Sequence, residues 1–150
     1  MAIRKILQEN DSLLRKKSRE VENIDEKIIT LLDDMAETLK KAEGLGLAAP
    51  QVGILRRIAI IDTPDGVIEL INPRIVKTTG EQYEEEGCLS VEGVRGKVVR
   101  PKKVITEAYN RAGDLMKYTA EGILAVAFCH EIDHLDGILF IDKVKEFVYD

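Results

Sequence analysis

The stretch Glu121-Gly122-Ile123-Leu124-Ala125-Val126-Ala127-Phe128-Cys129-His130-Glu131-Ile132-Asp133-His134-Leu135 decides how this chain is read. Leu124, Phe128, Ile132 and Leu135 recur at three- and four-residue spacing and share one helical face. Ile123, Ala127, His130 and His134 form the adjoining row, and Gly137 suits a stop. Residues four apart stand one turn apart on the same face, so His130 and His134 can reach one metal ion. Glu131 sits beside the first of them, where its carboxylate can act on a water at that ion as general base. This is the H-E-x-x-H arrangement. The competing reading makes both His ordinary helix residues and Glu131 a solvated charge. Both histidines of the 150-residue chain fall in this one pattern, which favours the metal.

A catalytic site of this kind needs a third protein ligand and one open position. No His follows His134, although Glu146 and several Asp do. Upstream, Cys88 stands in Glu86-Gly87-Cys88-Leu89-Ser90, where a glycine permits a tight bend before the thiol. A thiolate binds Zn or Fe(II) well, yet a cysteine is also a common small buried hydrophobe. The residues alone leave both readings of Cys88 open.

Around this helix the chain reads as α+β. Ile24, Ile28, Leu31, Leu32, Met35 and Leu39 form an amphipathic N-terminal helix. Asn23 or Asp25 can cap it, and Gly44 suits its exit. A short helical turn near residues 11–18 precedes it, capped by Asp11 or Ser12. Between the two helices lie β-branched runs: Arg57–Asp62, Val67–Asn72, Ile75–Thr79, Gly96–Arg100, Lys103–Tyr109 and Leu115–Thr119. Pro64-Asp65-Gly66, Asn72-Pro73, Gly80 and Pro101 punctuate them, and Asn110-Arg111-Ala112-Gly113 reads as a hairpin turn. Strands gathered between helices predict antiparallel or mixed sheets. No repeat or linker interrupts the pattern, so a single domain over 1–150 is expected.

Composition removes several classes. Lys plus Arg number 22 against 27 Asp plus Glu, a net charge of −5. Mild acidity with mixed signs argues against direct nucleic-acid binding. No apolar run reaches membrane-span length, and Gln8 to Asp11 is too polar to continue a signal peptide. With two Cys there is no disulfide framework, and a reducing cytoplasmic setting is expected.

Three short motifs together resemble peptide deformylase: Gly44-Leu45-Gly46-Leu47-Ala48-Ala49-Pro50-Gln51, Glu86-Gly87-Cys88-Leu89-Ser90, and His130-Glu131-Ile132-Asp133-His134. Their order, spacing and helix-strands-helix frame match that family over nearly the whole chain. The resemblance implies small sheets packed around a central C-terminal metal helix. It implies removal of the formyl group from N-formylmethionine on newly made polypeptides, releasing formate by hydrolysis of a linear amide. It implies one divalent metal held by Cys88, His130 and His134, with Fe(II) as the native ion and Zn, Ni or Co as substitutes. Glu131 then moves the proton, while the Gln51 amide and the Leu89 backbone N–H stabilise the oxyanion. A formamide carbon is a poor electrophile, which fits a metal-activated nucleophile with preorganised donors.

The resemblance also implies substrate contacts, with Gly46 offering backbone to an extended peptide and Arg95 near its carbonyls. Leu45, Ile123, Val126 and Ala127 are the expected walls of a methionine pocket. Asp133 reads as structural, with Arg100 as its cation, and Glu86 as a carboxylate that orients groups around the metal. The chain departs from many relatives at Cys129, where Gln is common, and at Glu92, where Pro is common. Some relatives continue into a C-terminal helix reported to dock on the ribosome. Only 143–150 remain here, so a transient ribosome contact would need another surface. A metalloprotease cutting internal peptide bonds and a non-catalytic peptide-binding module are the competing functions.

Overall fold

A computed structural model describes residues 2–149. The chain enters through a 3-10 turn, Ser12–Arg15, whose cap Asp11 accepts from Leu13 N, as the sequence predicts. Helix α1 spans Glu26–Ala42, and Asp25 Oδ1 accepts from Ile28 N at 3.1 Å. Its exit differs from expectation: Glu43 takes the left-handed position at φ 56°. Gly44 is wanted for closeness instead, because a Cβ there would fall 2.7 Å from Leu89 Cδ1.

The strands are β1 Gly46–Ala48, β2 Ile58–Thr63, β3 Gly66–Thr79, β4 Gln82–Cys88, β5 Val91–Arg100, β6 Lys103–Tyr109 and β7 Leu115–Glu121. Helix α2, Gly122–Leu135, follows, and β8, Val144–Val148, comes near the C-terminal end. Five strands form one antiparallel sheet in the order β1-β2-β3-β6-β7. The other three form a second antiparallel sheet, β4-β5-β8.

The sequence reads Asn72-Pro73 as a break between two strands. The structure carries β3 through it as an irregularity, with the register shifted between Ile71 and Arg74. Asn72 sits at φ 53°, and its amide bonds both the N–H and the carbonyl of Val21, so its own side chain holds the bend. Proline, which has no N–H to give a ladder, is tolerated at such a point.

Strand β2 explains the layering. Ile58 and Ile60 pack with Leu31, Leu32, Met35 and Leu39 of α1. Ala59 and Ile61 belong to the cluster containing Phe128 and Leu135 of α2. Alternate side chains of a strand point to opposite faces, so the five-stranded sheet has α1 on one face and α2 on the other. A third cluster of Leu14, Val91, Val98, Leu139 and Phe140 ties the small sheet to the segment after α2. Gly137 ends α2 at φ 76°, where a side chain would strike the backbone of Arg15.

Candidate active site

Helix α2 is apolar almost all round, and from Ala125 to Ile132 every residue is buried. Such a helix carries polar groups only where something satisfies them. His130, Glu131 and His134 are buried on it, all under one tenth exposed, as is the Cys129 thiol. Cys88 ends β4, and Leu89 and Ser90 make the two-residue turn into β5. This turn sets Cys88 Sγ 3.4 Å from His134 Nε2. One ligand atom each of Cys88, His130 and His134 lies within 4.8 Å of the others. A thiolate and two imidazoles are the donor chemistry that a borderline divalent ion takes.

The surroundings fix His130 more firmly than His134. Glu86 Oε1 lies 3.0 Å from His130 Nδ1. Glu86 is held by both arms of Arg100, at 2.8 and 3.0 Å, and Arg100 reaches Asp133 at 2.6 Å. Lys143 completes the chain at 3.0 Å from Asp133. The expected Arg100–Asp133 pair is therefore present, joined by a Glu86 link that runs to His130. Burial opposes ionisation of Glu86, but bonds from His130 and Arg100 win and lower its pKa to about 2. Burial also opposes charge on His130, yet Glu131, Cys88 and Glu86 outweigh it and raise its pKa to about 10. A metal ion on His130 would reverse that, since a ligating nitrogen cannot keep its proton. Burial, reinforced by His130, pushes His134 well below the usual imidazole range. Its Nδ1 is buried without a hydrogen-bond partner.

Glu131 is pushed up to about 7, chiefly by burial. Its Oε1 also lacks a partner, and its Oε2 lies against Gly46, where a Cβ would fall 2.6 Å away. The need for glycine at 46 thus comes from the carboxylate on α2. Gln51 lies in a 3-10 turn, Ala49–Val52, and is buried. Its Oε1 accepts from Ala48 N at 2.9 Å, and its Nε2 donates to Ser90 Oγ at 3.0 Å and faces Cys88 Sγ at 3.6 Å. Ser90, fully buried, is quoted in the sequence motif without a task, and its hydroxyl oxygen accepts from the Gln51 amide. Its signal was its place in the motif with Cys88.

A cleft of about 370 Å³ opens on these groups. Gly46, Gln51, Cys88, Leu89, His130 and Glu131 line it, as do Leu45, Arg95, Ile123, Val126 and Ala127. Two of the expected walls are rim instead: Ile123 is 73% and Leu45 42% exposed. Ile123 opens the first turn of α2 at the mouth, while Val126 and Ala127 are buried deeper. Arg95 is anchored to Glu85 at 3.2 Å and lies across Gly87, where a side chain would strike its guanidinium. Cys129 faces the other way, into the cluster with Ile61 and Phe128. Burial raises its thiol to about 11, and it is absent from the ligand group.

The polypeptide deformylase family model matches residues 3–148. The chain belongs to the polypeptide deformylase family. It is 58% identical over 148 residues to the peptide deformylase of Acetivibrio thermocellus, covering 99% of this chain and 87% of that one. The crystal structure of a Legionella pneumophila deformylase superposes with a TM-score of 0.93 at 46% identity, over 96% of this chain and 87% of that one. A deformylase from Synechococcus elongatus, solved in complex with actinonin, superposes at 0.92 with 38% identity, covering 95% and 79%. Deformylases are metal-dependent hydrolases that take the N-formyl group from newly made polypeptides, and hydrolysis of that amide is the activity of this chain. The expected α+β architecture is likewise that of the solved deformylases.

Proposed function

We propose that Cys88, His130 and His134 hold one divalent ion and that Glu131 is the proton carrier of the deformylase reaction. What supports this most directly is the group of three ligand atoms within 4.8 Å, next to a buried Glu131 carboxylate with an unpartnered oxygen. When bound, the ion supplies Lewis acidity, making a water nucleophilic at neutral pH and polarising the formyl carbonyl. Glu131 takes the proton of the attacking water and returns it to the departing amine. Burial pushes this carboxyl up, the direction that favours its holding the proton between the two transfers.

Gln51 and the Leu89 N–H stabilise the charge that grows on the formyl oxygen. Gln51 keeps its bonds to Ala48 and Ser90 and turns an amide proton from the Cys88 sulfur to that oxygen. Leu89, as a residue of a two-residue turn, keeps its N–H outside the strand ladder. The extended peptide lies between β1 and β4. Each is an edge strand of its sheet, and both present residues to the cleft, which supports strand addition on either side. The methionine side chain enters beside Val126 and Ala127, with Leu45 and Ile123 at the mouth, Gly46 along the backbone and Arg95 further along the peptide.

Fe(II) is the proposed native ion, with Zn, Ni and Co as substitutes, because the Cys and two His donors accept all four. The whole chain acts as one catalytic domain in the cytoplasm, on nascent formylmethionyl peptides, without binding nucleic acid. Among the described residues no helix is long and apolar enough to cross a membrane. The test is a product assay on an N-formylmethionyl tripeptide. Formate with an intact tripeptide is the expected result. Cleavage of an internal bond would make the chain a protease, and binding without either product would make it a peptide-binding module.

A further inference from the structure

Residues 7–9, before the first 3-10 turn, run against the two loops that carry Gln51 and Leu89. Leu7 N donates to Gln51 O at 2.7 Å, and Glu9 N donates to Ser90 O at 2.8 Å. Between them, Gln8 Nε2 donates to Leu89 O at 3.2 Å. Three consecutive residues thus hold the carbonyls of three residues around the site.

The middle bond has a chemical consequence. Leu89 C=O and Ser90 N–H belong to one peptide unit, which is planar and trans, so they point in opposite directions. The carbonyl points out to Gln8, and the N–H points in to Cys88 Sγ at 3.5 Å. A donor on the carbonyl polarises the unit and strengthens its N–H as a donor. The Cys88 sulfur therefore receives an N–H that Gln8 aims from the other side of the turn.

We propose that Gln8 is a positioning residue which sets the Leu89–Ser90 peptide plane and thereby the N–H···S hydrogen bond on the metal-ligating thiolate. This rests on Cys88 as a ligand. A thiolate that accepts hydrogen bonds gives less charge to its metal, so Gln8 tunes the ion without touching it. It acts from a segment with no metal-binding or catalytic signature of its own, on a carbonyl 81 positions away in the sequence.

The test uses the Co(II)-loaded full chain and reads the thiolate-to-cobalt charge-transfer band together with kcat and KM. Gln8→Ala removes the side chain. Gln8→Glu keeps its shape and removes the donor. Gln8→Lys restores a donor at similar reach. In the first two, loss of the aimed N–H raises the energy of the sulfur electrons, so the band moves to lower energy. In them kcat falls about tenfold while KM holds. Gln8→Lys returns the band and kcat toward the wild-type values. A band that stays in place in Gln8→Ala and Gln8→Glu overturns the proposal, even if activity falls, because a merely structural role moves rate alone. Equal shifts in all three variants overturn it too, since the donor would then be irrelevant. If the wild type itself shows no thiolate band, the ligand assignment of Cys88 fails first and the proposal with it. Should Gln8→Ala fail to fold, the Gln8→Glu and Gln8→Lys pair decides the question.

Discussion

Helices α1 and α2 face opposite sides of the same sheet, and they differ in what they bury. α1 presents one stripe, Leu31, Leu32, Met35 and Leu39, and keeps solvent on its other side. The two polar residues it buries, Asp34 and Thr38, are met by Ala2 N, Arg4 Nε and Arg4 N. α2 buries nearly its whole circumference and takes His130, Glu131 and His134 inside with it. Charges in such a place cost several kcal/mol each unless paired. The Lys143–Asp133–Arg100–Glu86–His130 chain supplies the pairing on one side. On the other, His134 Nδ1 and Glu131 Oε1 stay without partners. Glu37 Oε2 on α1, and Ser18 and Thr106 elsewhere, share that condition, so what sets α2 apart is that its two unpartnered atoms stand beside the Cys88, His130 and His134 donors. α1 is explained chiefly by packing, whereas the buried ionisable groups of α2 call for chemistry.

The sharpest way to break this contrast is Glu131→Gln. Steady-state deformylation should fall by about 10² to 10⁴-fold, the usual worth of a positioned proton carrier. Thermal stability of the metal-loaded variant should hold or rise, since a carboxyl that burial penalises has gone. A variant that unfolds instead would put Glu131 with the structural groups.

Next is Arg100→Met, which takes the guanidinium from buried Glu86 and leaves Asp133 with Lys143 alone. Chemical denaturation should show a loss of about 3–5 kcal/mol, the cost of stranding a buried charge. Metal should also leave faster. A loss below about 1 kcal/mol would mean that the ionic chain contributes no more than a surface pair.

On α1, Leu32→Ala should cost about 2–5 kcal/mol by leaving a cavity, with kcat per folded molecule unchanged. An equal loss of kcat would show that α1 does more than anchor the sheet.

The smallest effect is expected at Asp34. Its carboxyl titrates below the ordinary value, held there first by Ala2 N–H and then by Arg4, against the pull of burial. A lowered folded pKa stabilises the protein above the unfolded value of about 3.9 and ceases to do so as pH falls through the folded one. Asp34→Asn should therefore cost about 1 kcal/mol or less near neutral pH, because Arg4 is partly exposed. The difference from wild type should vanish in acid. A gap that widens below pH 4, on denaturation at a series of pH values, would reverse the sign of this account.

Legibility in the sequence follows the same divide. α1 was readable because its stripe repeats at helical period and Asp25 marks its start. α2 was readable because two histidines four apart stand on an apolar helix. β4 was not: Gln82-Tyr83-Glu84-Glu85-Glu86-Gly87 shows no alternation of apolar and polar residues. Its one inward carboxylate, Glu86, is acceptable only because Arg100 meets it across the β4–β5 pair. β1 is too short for any period, and β8 read as a tail because its pairing partner lies far away in β5. The motifs named the site's residues, but their contacts are tertiary. The Gln51–Ser90 bond, the Glu131–Gly46 approach and the Gln8–Leu89 bond each join segments with no mutual signal in the sequence.

The central claim is that α2 and Cys88 are built to hold a metal that the reaction needs. Its most direct test is metal content against formate release for protein purified without oxygen. The account requires one divalent ion per chain at full loading and a rate proportional to the ion bound. It also requires both to be lost together in Cys88→Ala and His134→Ala. Full formate release from metal-free protein, or full metal binding in either variant, would contradict it.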